Sequence, residues 1–410
     1  MRMFKKTINI FLIFLFFVGK IICDTQNYSI LLLYVVNEIR EKGAGIYGTS
    51  VHRINFYKKL KESGFNVSML IDNKKLEKLF DSEKLEYYTC RIPGEIEDSD
   101  RLSFLTKEIC KVCTSHNISI IHCNGQEEIK AAKLVASQIP VKVVATVHSD
   151  KRCNLSLLNC LDGVIGVNPK IPALIKKNDI NIPIVTYMPP FFDEEKFLKF
   201  SPKYTKQDFF KKLTGKSLEN TDIICMIANF YPNKTWKNHA LLLKATKQLI
   251  YKHKSKIAVI CAGDGATLND TKQLAKRLGI SNYIYFVGYV KDIPELLYHS
   301  DIKVLTSNEE SFGIVLLEAA LMKKPMIGVK GTGMENIIEH NKTGLLINKN
   351  NMNELVGCIK YLLDNRDIAQ KFGENAYNFV TQKYLSNSNI KKLIDFYLNV
   401  IKPPEFQGVL

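Results

Sequence analysis

The chain has 410 residues, and 57 lysines and arginines against 41 acidic side chains leave a formal net charge of +16. That length predicts two domains, each able to bury its own core, while 46% apolar and 24% charged residues exclude a disordered chain, collagen or a coiled coil. Only eight of the 57 basic residues are arginine and no tract exceeds two lysines, which argues against nucleic acid and suits an anionic membrane surface or anionic substrate.

In chain order, Arg2, Lys5 and Lys6 precede an apolar run from Ile8 to Val18. A bilayer takes about 20 residues to span, so the run is short. A basic stretch before a short apolar one suits a signal peptide, but no small-x-small cleavage site follows. Three readings remain for residues 1–25: a cleaved export signal, a short uncleaved anchor, or a helix lying in the membrane interface.

From residue 26 the pattern alternates. Strands are predicted at Ser29–Val36, Asn66–Ile71, Ile118–His122, Lys142–His148 and Gly163–Val167, with a helix at His52–Ser63 and helical stretches between the others. Short buried strands separated by helices indicate a parallel sheet covered on both faces. Met188–Phe192 breaks the rhythm, and the lysine-rich stretch Lys196–Ser217 reads as a linker, which places a domain boundary near residue 200. The grammar then restarts. Strands are predicted at Asp222–Ala228, Lys256–Ala262, Tyr283–Val287, Asp301–Thr306, Pro325–Val329 and Gly344–Ile347, and helices at His239–Tyr251, Ala266–Leu278 and Phe312–Met322. A last helix is expected over Asn387–Ile401. The fold class is α/β, with two doubly wound domains at 26–200 and 201–385, a C-terminal helix and tail at 386–410, and ligands at the C-terminal ends of strands.

Ten cysteines include one CxxC, Cys110 and Cys113, inside a predicted helix and without a second pair at zinc-site spacing. They are expected to be free thiols packed as small hydrophobes. Asp98-Ser99-Asp100 spells D-x-D without a preceding strand and reads as a solvated loop.

Several positions carry candidate chemistry. Gly43–Gly48 spells G-x-G-x-x-G, but six residues separate it from the first strand, which spoils the tight turn of a dinucleotide fingerprint. A loop that lets an anionic ligand approach its backbone is the better reading, and an NAD(P)-dependent oxidoreductase the runner-up. Glu310 to Glu318 is the strongest candidate. Glu310 falls on a strand-to-helix loop, the N–H groups of Phe312, Gly313 and Ile314 open the helix towards a phosphate, and Gly313 has no side chain to hold a diphosphate away. Glu318 lies five residues after Gly313, about 7.5 Å along the axis. Lys237 follows another strand end and offers a point charge; it is equally one surface lysine among 49. His148 caps the strand Lys142–Val147, where a histidine serves either as a base or hydrogen-bond donor or as packing.

Taken together, these residues resemble the family 4 glycosyltransferases of the GT-B fold. Glu310–Glu318 matches the family's E-x7-E motif with its Glu-Ser-Phe-Gly core. Around it stand Lys237-Asn238-His239, Gly263-Asp264-Gly265, Phe286-Val287-Gly288, Lys324-Pro325 and Thr343-Gly344-Leu345-Leu346, in the family's order. The resemblance implies two Rossmann-like domains facing across a cleft, with the second binding a UDP- or GDP-linked sugar. Glu310 is then expected to contact sugar hydroxyls, Glu318 the ribose, the amides of Phe312–Ile314 the diphosphate, and Lys237 a phosphate, with Ser311 among the donor-binding residues. Gly263 lines the donor site, Gly45 lies in the first domain's glycine loop, and His148 matches a histidine near the reacting centre. The reaction implied is transfer with retention, needing no metal or other cofactor, to a glycan or lipid-linked acceptor. Since the family's nucleotide-sugars are cytosolic, the resemblance also favours an anchor or a membrane-lying helix at residues 1–25, with the active domain on the cytoplasmic side, over export through a cleaved signal peptide. The chain departs from the pattern where many members carry an arginine: Asn229 stands there, the loop Tyr231–Trp236 is lengthened, and Lys234 is the candidate substitute. The usual Gly-Gly-x-Pro-Glu becomes Gly331-Thr332-Gly333-Met334-Glu335-Asn336. A degenerate member that binds nucleotide or glycan without turnover is the non-enzyme alternative.

Overall fold

A computed structural model describes residues 28–34, 48–72, 74–92, 97–151, 153–218 and 220–402. Two compact units result, one made of β1 with residues 50–189 and 389–402, the other of residues 190–388.

The first unit is built on a parallel sheet of β1 (Ser29–Tyr34), β2 (Asn66–Ile71), β3 (Tyr87–Thr89), β4 (Ile120–Cys123), β5 (Lys142–Val147), β6 (Gly163–Gly166) and β7 (Val185–Tyr187). The spatial order is β3-β2-β1-β4-β5-β6-β7. β1 pairs in register with β2 (Ile30 with Val67) and with β4 (Ile30 with Ile120), so the chain reverses direction across the sheet between β1 and β4. The strands read as continuous apolar runs because both faces are covered: Leu31, Leu33, Ile121, Val143 and Val164 form one core with Leu105 and Ile109 of the helix Asp98–Ser115. That helix absorbs Asp98-Ser99-Asp100 into its first turn. The three residues are exposed as expected, but helical, since acids in a first turn complement the helix dipole.

The second unit repeats the design with β8 (Asp222–Ile227), β9 (Ile257–Ala262), β10 (Ile284–Gly288), β11 (Ile302–Val304), β12 (Met326–Val329) and β13 (Leu345–Ile347). All are parallel, in the order β10-β9-β8-β11-β12-β13, and the reversal falls between β8 and β11. In open sheets of this kind ligands bind beyond the strand ends at that reversal.

Two expectations change. The stretch Lys196–Ser217 is not a linker. Thr205 accepts a hydrogen bond from the Asp208 amide and caps the helix Lys206–Thr214, which ends on Gly215 in the left-handed conformation (φ +76°). Among its lysines, Phe209 and Phe210 are buried with Ile223, Cys225 and Ile260, and two buried aromatics outweigh a polar average. The C-terminal helix Ser386–Ile401 is not a separate element either. Tyr397 is wholly buried against Phe65 and His122, and a Cβ on Gly163 would stand 2.8 Å from Phe396, so the helix completes the first unit. The nine described cysteines are free thiols. Among the described residues no helix is long and apolar enough to cross a membrane.

Candidate active site

The second unit's site is assembled at the ends of β8 and β11. β8 leads to the short helical turn Lys234–Lys237, closed by Asn238 in the left-handed conformation before the helix His239–Tyr251 begins. Thr306, buried just past β11, donates its hydroxyl to the carbonyls of Lys237 (3.1 Å) and Asn238 (3.0 Å). The Asn308 amide donates to the Trp236 carbonyl at 2.9 Å. Those bonds bring together residues some 70 positions apart, and Lys237 Nζ meets Glu310 Oε2 at 2.7 Å. Both side chains are largely shielded, with 21% and 15% exposure, so their attraction is screened less than that of a surface pair.

Glu310 opens the loop to the helix Ile314–Leu321. Gly313 caps that helix at φ +98°, a conformation that disfavours any side chain. The N–H groups of Phe312, Gly313 and Ile314 have no acceptor among the described residues, and they crown a helix N-terminus. Phe312 is buried edge-on against Tyr384 and anchors the loop from below. Behind Ser311 runs the altered Gly331–Asn336 segment. The Gly333 amide donates to the Glu310 carbonyl at 2.6 Å, and a Cβ on Gly333 would lie 1.9 Å from the Ser311 carbonyl oxygen. Glu335 accepts from the Gly331 amide and Asn336 donates to the Gly333 carbonyl, so both residues shape this turn.

Glu318 is half-buried one turn further along. Burial pushes its carboxyl up to about 7, opposed by the charges of Lys196 and Lys303 and reinforced by Asp193. Gly263 is a forced glycine: at φ +141° its Cβ would lie 2.2 Å from the Ala228 carbonyl oxygen, directly before the half-buried Asn229. Lys234 goes elsewhere, to an exposed ion pair with Asp270 at 2.8 Å. It does not join Lys237 and Glu310, which leaves Lys237 as the cation at the loop. His239 stacks on Phe230 at 4.0 Å, and burial holds its imidazole down to about 3, so it is a neutral packing group.

In the first unit His148 lies past the end of β5 and faces Asn124 Oδ1 at 3.1 Å. His52 meets its ring edge-on at 5.4 Å. Burial, followed by the neighbouring His52, Arg53 and His122, holds His148 well below the usual imidazole range. Below it His122 is wedged between Tyr397 and Thr146 and held down to about 3 by burial. Buried Glu128 takes the amides of Asn124 and Gly125 and lies 3.8 Å from Arg53. Sequence reasoning passed over His52 of the helix Gly48–Glu62, His122 within β4 and Asn124 just past its end, since histidine and asparagine there carry no spacing signature. Gly45 lies outside the described residues, as do Gly43–Tyr47 of its loop. Among the described residues no group of three or more His, Cys, Asp or Glu is placed to hold a metal ion.

Residues 208–379 match the family of glycosyl transferases group 1. They are a group 1 glycosyl transferase domain. The match runs from the helix Lys206–Thr214 to the helix Arg366–Lys383, and so contains β8–β13 with Lys237, Glu310 and Glu318. The chain is 25% identical to N-acetyl-alpha-D-glucosaminyl L-malate synthase of Bacillus anthracis, over 73% of this chain and 79% of that enzyme. It is 24% identical to the UDP-Gal:alpha-D-GlcNAc-diphosphoundecaprenol alpha-1,3-galactosyltransferase of Escherichia coli, over 76% of this chain and 82% of the other. Among solved structures, Anabaena HepE in complex with UDP and glucose superimposes with a TM-score of 0.76 at 19% identity, covering 91% of this chain and 99% of HepE. The fold is GT-B, with two Rossmann-like parallel-sheet domains. Family and relatives alike transfer sugars, and this glycosyltransferase carries the group 1 domain in its second unit.

Proposed function

We propose that this glycosyltransferase moves a sugar from a UDP- or GDP-linked donor to a hydroxyl of a glycan or lipid-linked acceptor, with retention of anomeric configuration and without a metal. The observation that carries the reading is the Lys237–Glu310 pair beside the free amides of Phe312, Gly313 and Ile314. A diphosphate needs positive charge and N–H donors, and this loop supplies both. In the donor complex the diphosphate takes the amides and shares Lys237, which frees Glu310 to accept hydroxyls of the sugar. Glu318 accepts the ribose hydroxyls, and Asn229, Ser311 and Gly263 line the nucleotide. His148, neutral under ordinary conditions, donates or accepts a hydrogen bond near the reacting carbon rather than carrying a charge.

The acceptor hydroxyl attacks the anomeric carbon from the side on which the diphosphate departs. The bond from that carbon to the phosphate oxygen breaks, and the acceptor's proton passes to the leaving phosphate. Lys237 and the helix amides stabilise the charge that develops there. The acceptor is placed at a membrane surface on the cytoplasmic side. The net charge of +16 and the apolar run Ile8–Val18 favour that site, and the E. coli relative is named for a diphosphoundecaprenol-linked acceptor.

The test is thermal unfolding of the full chain with UDP, GDP, their sugar conjugates and NAD. A ligand at about 100 times its dissociation constant stabilises by about 2.7 kcal/mol. Stabilisation by one nucleoside diphosphate and its sugar is expected; stabilisation by NAD alone would place the chemistry in an oxidoreductase instead.

A further inference from the structure

Asn350 belongs to none of the motifs that mark the donor site, yet it touches both loops that build it. Asn238 and Asn308 each donate a side-chain N–H to its carboxamide oxygen at 2.9 Å. Asn238 directly follows Lys237, and Asn308 lies two residues before Glu310. A carbonyl oxygen has two lone pairs, so one side chain answers both donors. The Asn308 backbone amide also donates to the Trp236 carbonyl at 2.9 Å, and Thr306 reaches the carbonyls of Lys237 and Asn238. The loops after β8 and β11 are therefore joined twice, by the buried hydroxyl of Thr306 and by the exposed carboxamide of Asn350.

Asn350 is itself held by the entry to the helix Met352–Asp364. Asn351 caps that helix by accepting from the Glu354 amide at 3.1 Å, and Glu354 accepts from the Asn348 backbone amide (2.6 Å) and side-chain amide (2.8 Å). Between these fixed residues Asn350 takes the left-handed conformation (φ +60°), which asparagine tolerates better than most side chains. The brace thus ties the loop after β13 to the loops after β8 and β11, and Lys237 and Glu310 meet at 2.7 Å beside it.

We infer that Asn350 is a positioning residue for the donor site, its carboxamide bracing the loops after β8 and β11 so that Lys237 is held against the Glu310 loop before the diphosphate arrives. The inference rests on the reading of that loop as the diphosphate site. Without the brace Lys237 must be ordered on binding, and the ordering is subtracted from affinity.

Asn350→Gly isolates the carboxamide, because glycine keeps the left-handed backbone without steric cost. In calorimetric titration of the full chain with UDP and with GDP, the nucleotide that binds the wild type is expected to bind this variant about tenfold more weakly. In a Lys237→Met background the same substitution is expected to weaken binding at most about threefold. Unchanged affinity, or the full tenfold loss in the Lys237→Met background, overturns the inference. Hydrogen exchange without nucleotide reads the brace itself. The Asn308 backbone amide is expected to exchange several-fold faster in Asn350→Gly while the β9 amides keep the wild-type rate, and Asn350→Asp, which keeps an accepting oxygen, restores slow exchange. No change at Asn308, or an equal increase across β9, makes Asn350 part of the helix cap alone and overturns the inference as well. Asn308→Ala deletes one of the two donated bonds and gives the same exchange reading at position 308 should Asn350→Gly not fold; an unmoved rate there also counts against the brace. Faster exchange at Asn308 with no nucleotide bound by the wild type sinks the donor-site reading and leaves the brace standing.

Discussion

At the end of β11 the polar groups are charged and answered: Lys237 lies on Glu310, the amides of Phe312–Ile314 open a helix, and burial pushes the Glu318 carboxyl up to about 7. At the ends of β4 and β5, in a sheet of the same parallel design, His148 and His122 lie beside His52 and Asn124, and burial holds the imidazoles of His148 and His122 in the neutral form. The difference follows from what each edge can solvate. A helix N-terminus and a lysine stabilise an anion, whereas packed rings beside Arg53 disfavour further positive charge. One edge is suited to a diphosphate, the other to hydroxyl groups that need orientation rather than charge.

The comparison breaks first at Glu310. Glu310→Ala removes the carboxylate we propose as the sugar's acceptor and strands Lys237, and transfer measured with a saturating acceptor is expected to fall at least about a hundredfold. Retained turnover would move the active centre elsewhere. Gly333→Ala comes next. Its Cβ has no room 1.9 Å from the Ser311 carbonyl oxygen, so the donor loop must shift; nucleotide affinity falls with a loss of about 1–3 kcal/mol in unfolding free energy. The pH profile sharpens the contrast. Glu318 gains a proton as pH drops through about 7, so donor affinity should weaken on the acid side and Glu318→Gln should abolish that limb. His148 is already neutral there, so His148→Asn is expected to lower the rate by about tenfold without moving the limb. A limb that moves with His148 would reverse the assignment. The smallest effect is expected at Lys234. Its exposed pair with Asp270 is worth less than about 1 kcal/mol, so Lys234→Ala leaves stability and donor affinity nearly unchanged. A tenfold affinity loss would reinstate it as the arginine's substitute.

Most of both sheets was legible in the sequence because buried parallel strands are short apolar runs: Asn66–Ile71 coincides with its predicted bounds, as does the helix His239–Tyr251, whereas β3 and β7, three-residue edge strands that are not fully buried, were missed. The Glu310 loop was legible for a similar reason, since a strand, a glycine and a helix in sequence fix where a carboxylate points. The pairing of Lys237 with Glu310 was not, because it depends on Thr306 reaching two carbonyls across the β8–β11 reversal. Phe209 and Phe210 were hidden by the lysines around them, and Tyr397 by its distance from His122 along the chain. Lys303 did carry a visible signal, a lysine inside an apolar strand, but only its burial shows that the charge has nowhere to go.

The most direct measurement is a calorimetric titration of UDP and GDP into the wild-type chain and into Lys237→Met at pH 8, where Glu318 is ionised. Saturable binding of one nucleotide to the wild type, weakened at least tenfold in the variant (about 1.4 kcal/mol), is expected if the diphosphate sits at the β11 loop. Equal affinity in both proteins would contradict that placement.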